Sequence, residues 1–366
     1  MTAGHPRRWQ RLSWGVGIAL GSAIVLVGGA ELLLRAAGYG RGPARYFDPQ
    51  IGFRFLPDQT RSMGRRDGTP LGSVAFNELG LRGPVWAADR APGERRIACL
   101  GDSFTFGWGE VHDGETWPAL LQERLRRREG PVRWTTMNFG VPGYNLWNST
   151  RMYRRVARPF EPDLVLVGFF ANDVAPRDKG PRHTESGPLY WAGRTALAEA
   201  FHRLLRRRIS YFDNPDDDAT VDARRTYRAH QAVILTNPGA EVAAPFWERA
   251  MGELGELVTS VRADGGRVVL LGFPQRSQVA HVERSVASGR CSAGEAMAEV
   301  NGPQERLAAE AQRLGVVWLD LFDAFCSVGL TAFGDLDSGH PAPVGYSAAA
   351  GAIFGHLEEL GLLRGS

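Results

Sequence analysis

The sequence predicts an α/β protein built on an open, doubly wound parallel sheet. Two observations predict it. Short apolar, β-branched runs recur at 97–100, 132–138, 164–169, 268–271 and 316–321, and helix-period segments lie between them. Strands that are apolar on both faces need cover on both faces, so the sheet is parallel with helices above and below it. Right-handed crossovers then give the open, doubly wound form. In that architecture a ligand sits outside the carboxyl ends of the strands.

The elements follow in chain order. Residues 12–34 are apolar apart from Ser13, Ser22 and Glu31. As a helix they rise about 34 Å, enough to cross a bilayer core. Arg7, Arg8 and Arg11 precede them, which keeps residues 1–11 in the cytoplasm and exports the rest. Gly28-Gly29-Ala30 resembles a signal cleavage site, but Leu32-Leu33-Leu34 continues the apolar run, so the expectation is an uncleaved anchor. Residues 35–93 show no long helix period. They read as a juxtamembrane segment with short strands, ending in the stretch "NELGLRGP" from Asn77 to Pro84. The sheet domain then occupies 94–366. Helices are expected over 116–128, over a second segment marked by Phe246, Ala250, Leu254, Leu257, Val258 and Val261 and stopped by Gly265-Gly266, and over 304–314 and 347–363. An insertion at 176–244 is charged and rich in Pro and Asp. Within it Leu197, Phe201, Leu204 and Leu205 form an amphipathic stripe, suited to a surface excursion or to a cover over the site.

Composition excludes several classes. The net charge is +3 and dispersed. The arginine runs 124–128 and 206–208 read as solvated helix ends without interleaved aromatics, so nucleic acid is not an expected partner. No CxxC, HExxH or Cys/His cluster is present, and neither a metal nor an organic cofactor is expected. Of the three cysteines, Cys99 falls in a core strand. Cys291 and Cys326 are candidates for a disulfide in an oxidising compartment.

The strand ends carry the chemistry. The first core run breaks into Gly101-Asp102-Ser103. The second ends in "NFGVPG", with Asn138 and Gly140. The third ends in "FAND", with Asn172 and Asp173. After the fifth comes "DLDSGHPAP", with Asp337 and His340 on one loop before a helix. Acyl transfer requires a nucleophile, a base touching it, a carboxylate to orient the base, and donors aimed at the oxyanion. Ser103, His340 and Asp337 can fill the first three roles. The Ser103 N–H, the Gly140 N–H and the Asn172 amide can fill the fourth. Glycine at 140 lets its N–H approach a substrate closely, and Ser103 heads toward a helix N-terminus. Asp102 and Asp173 read as turn stabilisers. Asp335 is the reserve orienter. His112, His183, His202, His230, His281 and His356 show no partner pattern.

These blocks resemble the SGNH (GDSL) hydrolases, and more closely their membrane-anchored bacterial members. Ser103 in "GDS", Gly140 in "NFGVPG", Asn172 in "FAND" and His340 in "DSGH" stand in the family's order. The resemblance covers residues 95–366 and implies a flavodoxin-like three-layer α/β/α fold with esterase or acyl-transfer chemistry, Asp337 completing a triad. One position departs from the pattern: the family usually has Gly two residues before the Asn, and here Phe170 stands there. The expected function is a membrane-anchored serine esterase acting outside the cytoplasmic membrane, with an acylated glycan or lipid among the candidate substrates. O-acetyl transfer to a cell-envelope polysaccharide is an alternative. Glycan binding without catalysis is a third reading, which has no use for a paired Ser and His.

Overall fold

The computed structural model describes residues 6–37, 45–64, 70–109, 111–176, 195–197, 200, 218–334 and 339–364. Asp337, the reserve Asp335, and Phe201, Leu204 and Leu205 of the stripe lie outside the described residues.

The chain begins with helix α1 (Pro6–Ala36). Its 24-residue stretch Ser13–Ala36 is, among the described residues, the one helix long and apolar enough to cross a membrane. Ile18, Ile24, Leu26 and Leu33 all point away from protein. Two antiparallel hairpins follow, β1 (Arg45–Asp48) with β2 (Gly52–Phe55) and β3 (Gln59–Gly64) with β4 (Pro70–Phe76).

Five parallel strands form the main sheet: β5 (Glu94–Gly101), β6 (Arg133–Asn138), β7 (Leu164–Phe169), β8 (Arg267–Gly272) and β9 (Val317–Asp320). Their spatial order is β6-β5-β7-β8-β9. This is the doubly wound order in which the chain reverses direction across the sheet beside β5, and the crevice at that switch point is where such folds bind ligands. The five strands are the five apolar runs of the sequence.

Alternation along each strand divides the core into two layers. Ala98, Leu100, Val165, Val167 and Leu270 face one way. They pack on Leu254, Leu257, Val258 and Val261 of α6 (Ala244–Ala263), with α4 (Leu146–Met152) and α9 (Gly302–Leu314) on the same side. Ile97, Cys99, Leu164, Leu166 and Leu271 face the other way. They meet α3 (Trp117–Arg127), α7 (Arg276–Ala287), α10 (Phe322–Val328) and α11 (Pro343–Glu359). A shorter helix, α8 (Ala293–Ala298), precedes α9.

Three features differ from the sequence expectation. The hairpins are part of the core: Phe53, Phe55, Val74 and Phe76 are buried in the first layer. Tyr144 donates its hydroxyl to the Phe53 carbonyl at 2.6 Å, and Asn148 donates to that of Ile51 at 2.6 Å. The C-terminal part of the insertion, for which the sequence predicts no element, forms α5 (Asp218–Thr236), kinked at His230. The Trp247 indole N–H and the Gln275 amide tie its end down by donating to the Ile234 and Leu235 carbonyls. Finally, Cys291 and Cys326 are both free thiols. Their pairing rested on cysteine count and compartment, and neither of these brings two sulfurs to bonding distance. Each packs instead as a small apolar side chain in the second layer.

Candidate active site

At the end of β5 the backbone must turn sharply, and Gly101 makes that possible. Its φ is +150°, and a Cβ there would lie 2.6 Å from the Gly168 carbonyl oxygen and collide with Thr105 Oγ1. Asp102 caps the turn by accepting the Phe104 N–H at 2.9 Å. Helix α2 (Ser103–Phe106) then runs for one turn before Gly107 ends it in the left-handed region, φ +86°. The helix expected after Ser103 is thus a single turn, too short to supply the dipole of a full helix.

The structure brings Ser103 and His340 together across 237 positions of sequence. Ser103 Oγ lies 2.8 Å from His340 Nε2 and 3.2 Å from Asp102 Oδ2. A hydroxyl has one proton to donate, and the imidazole nitrogen is the nearer acceptor. His340 is placed by the chain on either side of it. Gly334 N–H donates to the His340 carbonyl at 3.0 Å, Ala342 N–H to that of Ala332 at 2.8 Å, and Phe333 bridges to Pro341. The imidazole lies near the rings of Phe104 and Trp108, with centroids 5.4 and 6.5 Å away. Ser103 is buried and His340 half-buried, so the pair can be reached from the His340 side.

The residues named as oxyanion donors also lie at strand ends, and Gly140 and Asn172 each have a resting partner. The Gly140 N–H donates to Asn138 Oδ1 at 2.9 Å. The Asn172 side-chain amide donates to Asp102. Ser103 N–H occupies the first position of α2, where no intrahelical carbonyl is available to it. The reason for glycine at 140 differs from the one read in the sequence: a Cβ there would lie 2.8 Å from the Thr105 carbonyl carbon and collide with the Phe106 nitrogen. Glycine is required by the close approach of α2. Asn138 serves the same contact, its amide donating to the Thr105 carbonyl at 3.1 Å.

Two buried carboxyls stand behind the pair. Burial raises the Asp102 pKa, against the bond from Phe104 N–H, the charge of His340 and the bonds from Asn172 and Ser103. Asp173 is raised well above the ordinary range by burial and by the neighbouring Asp102, although it accepts the Phe170 N–H at 2.8 Å. Asp102 does more than hold its turn, since it accepts from the Asn172 amide and lies 3.2 Å from the Ser103 hydroxyl. Phe170 keeps ordinary extended backbone, φ −120°. Its ring stacks on Phe104 at a centroid distance of 4.0 Å, so the bulkier residue floors the site without straining the Asn172 turn.

Of the insertion's stripe, Leu197 is described. Its N–H and that of Ala196 donate to the Glu31 carboxylate at 3.0 and 2.9 Å. Glu31, the carboxylate within the apolar helix, thus has partners at residues 196 and 197. No group of three or more His, Cys, Asp or Glu side chains able to hold a metal occurs among the described residues.

An arrangement of a serine hydroxyl on an imidazole, beside backbone and amide donors at the switch point of a doubly wound sheet, suits nucleophilic attack on a carbonyl. Several solved structures resemble the chain. The psychrotrophic esterase EstA from Pseudoalteromonas sp. is 12% identical and aligns over 73% of this chain and 98% of its own, with TM-score 0.41. The acetylxylan esterase Axe2 from Geobacillus stearothermophilus is 13% identical over 73% and 94%, with TM-score 0.40. The lipase/acylhydrolase from Enterococcus faecalis is 15% identical over 73% and 96%, with TM-score 0.39. Among curated proteins none matches. Residues 99–348, more than half of the chain, match the model of the GDSL-like Lipase/Acylhydrolase family, so the chain belongs to that family and is a hydrolase of ester bonds.

Proposed function

We propose that the chain is a serine esterase that cleaves carboxylic esters through an acyl-Ser103 intermediate, outside the cytoplasmic membrane. The observation that supports this reading most is the 2.8 Å separation of Ser103 Oγ and His340 Nε2 at the carboxyl end of β5. His340 Nε2 takes the hydroxyl proton as Oγ attacks the ester carbonyl. The same proton passes to the leaving alkoxide as the tetrahedral intermediate collapses, giving the acyl-serine and a free alcohol. A water then donates a proton to His340 while its oxygen attacks the acyl carbon, and the return of that proton to Ser103 releases the acid. Asp337 is the proposed orienter of His340.

The oxyanion forms beside the Ser103 N–H, Gly140 and Asn172. In the resting site Asn138 and Asp102 hold the last two donors in place, so the developing charge competes with a neutral amide oxygen and with a buried carboxylate. Donors already held beside the reacting carbon need only a short shift from these partners as the charge develops. In the proposed topology α1 anchors the protein with its N-terminus inside, and the Glu31 contact keeps residues 196 and 197 of the insertion close to the anchor's outer end. Substrates carried on envelope glycan or lipid suit that position.

The test is turnover of short-chain p-nitrophenyl esters and acetylated glycans by the full chain and by Ser103→Ala. The reading expects hydrolysis that vanishes in the variant. Hydrolysis at the wild-type rate in Ser103→Ala overturns it.

A further inference from the structure

The stretch "NELGLRGP" is a compact turn that presents one buried cation. Asn77 Oδ1 accepts the Leu79 and Leu81 N–H groups at 2.9 and 3.1 Å, and its amide donates to Pro84. Gly80, at φ +68°, packs so closely on the Phe55 carbonyl that a Cβ would collide with it. Arg82 follows, bridged to Phe76, with its side chain only 2% exposed. A buried guanidinium costs several kcal/mol in desolvation unless its donors are satisfied. Here they are shared out: Nε donates to Asp113 Oδ1 at 2.7 Å, Nη2 to the Val111 carbonyl at 2.8 Å, and Nη1 to the carbonyls of Phe106 (3.4 Å) and Gly107.

Those last two carbonyls belong to the end of the nucleophile helix. A one-turn helix cannot satisfy its own C-terminal carbonyls. The peptide units involved are also bonded on their other side. The N–H of the Phe106–Gly107 peptide donates to the Ser103 carbonyl at 3.0 Å, and the N–H of the Gly107–Trp108 peptide donates to the same oxygen at 2.9 Å. Two peptide planes thus run from the Arg82 guanidinium to the backbone of Ser103. The loop they begin continues to the base. Tyr346 on α11 donates to the Trp108 carbonyl at 3.2 Å, and Gly109 lies against Pro341 and His340 Cβ.

We propose that Arg82 is a positioning residue for the esterase reaction: from the segment before the sheet it clamps residues 106–111 and so sets the spacing of Ser103 and His340. The proposal rests on the reading of Ser103 as nucleophile. It also gives the segment before the sheet a part in catalysis beyond tethering the domain to its anchor.

The experiment uses the full chain in detergent, with p-nitrophenyl acetate turnover and the rate of Ser103 labelling by a fluorophosphonate. Wild-type labelling at Ser103 first establishes the nucleophile, so failure at that step belongs to the earlier reading and not to this one. Arg82→Met is expected to lower kcat and the labelling rate by at least about tenfold, equivalent to about 1.4 kcal/mol in the barrier, with KM held within about threefold. Arg82→Lys, which keeps the charge and loses the fork, is expected to recover part of the loss. If Arg82→Met does not fold, Asp113→Ala carries the test. It frees Nε at a half-exposed partner and is expected to slow labelling in the same direction by a smaller factor. A folded Arg82→Met, or Asp113→Ala in its place, with wild-type kcat and labelling rate overturns the proposal, whatever happens to the melting temperature.

Discussion

The two loops that meet at the active site are built differently. The Ser103 turn is held by distant residues, Asn138 on the Thr105 carbonyl and Arg82 on those of Phe106 and Gly107, while its own neighbour Asp102 caps the front. Gly101 and Gly140 occupy positions where a Cβ has no room. Among the described residues, the His340 loop is held by close neighbours, through the Phe333–Pro341 bridge and the backbone bonds of Gly334 and Ala342. One side is a buried mount, and the described part of the other is a half-buried strap. The difference implies that changes to the residues holding the Ser103 backbone damage both fold and rate, whereas loss of either reacting side chain, Ser103 or His340, damages rate alone.

The largest expected effect is common to both loops. Ser103→Ala and His340→Ala should each lower ester turnover by several orders of magnitude with little change in melting temperature, because the pair acts as a unit; steady-state kinetics on purified variants checks this. Asn172→Ala should raise the barrier by about 2.7–4 kcal/mol if its amide supports the oxyanion. A turnover number near wild type would assign Asn172 to holding Asp102.

The glycines sharpen the contrast. Gly101→Ala meets both a forbidding φ and the Gly168 carbonyl, and a destabilisation on the order of 3 kcal/mol follows from overpacking and strain. Gly109→Ala, where the loop after α2 meets the His340 strap, has a φ of +122°, but the atom nearest an added Cβ is the Pro341 carbonyl oxygen at 3.6 Å. A cost of about 1 kcal/mol from backbone strain is expected there. Equal losses in urea melts would remove the distinction between mount and strap.

The smallest effect is on pH dependence. A carboxyl whose pKa is raised by folding contributes stability below its unfolded pKa and loses it as pH rises through the folded value. Asp173 is such a group. Asp173→Asn mimics the neutral acid and keeps an acceptor for the Phe170 N–H. The variant should match wild type below the unfolded carboxylate pKa and gain relative stability above it. Melting curves across acid to neutral pH check this, and a gain confined to acid pH would contradict it.

How much of this was legible in the sequence follows from the range of each interaction. Strands and the larger helices depend on local periodicity, and the five runs at 97–100, 132–138, 164–169, 268–271 and 316–321 all became strands of one sheet. The blocks at strand ends were visible because an apolar run followed by Gly, Asn or Asp marks a turn. Arg82 was invisible: its carbonyl partners lie 24–29 positions away, and nothing local separates a buried clamp from a solvated arginine. The reason for Gly140 was also hidden, since the collision it avoids is with α2, more than thirty positions earlier. Helix α5 was missed because a charged, polar segment with few buried residues gives little period to read.

The most direct test of the account is the site of covalent capture. Full-length protein treated with a fluorophosphonate should gain one adduct, mapped by peptide mass spectrometry to Ser103, absent from Ser103→Ala and formed far more slowly in His340→Ala. Capture at any other residue, or capture at Ser103 with equal speed when His340 is removed, would contradict the claim that these two side chains form the reacting pair.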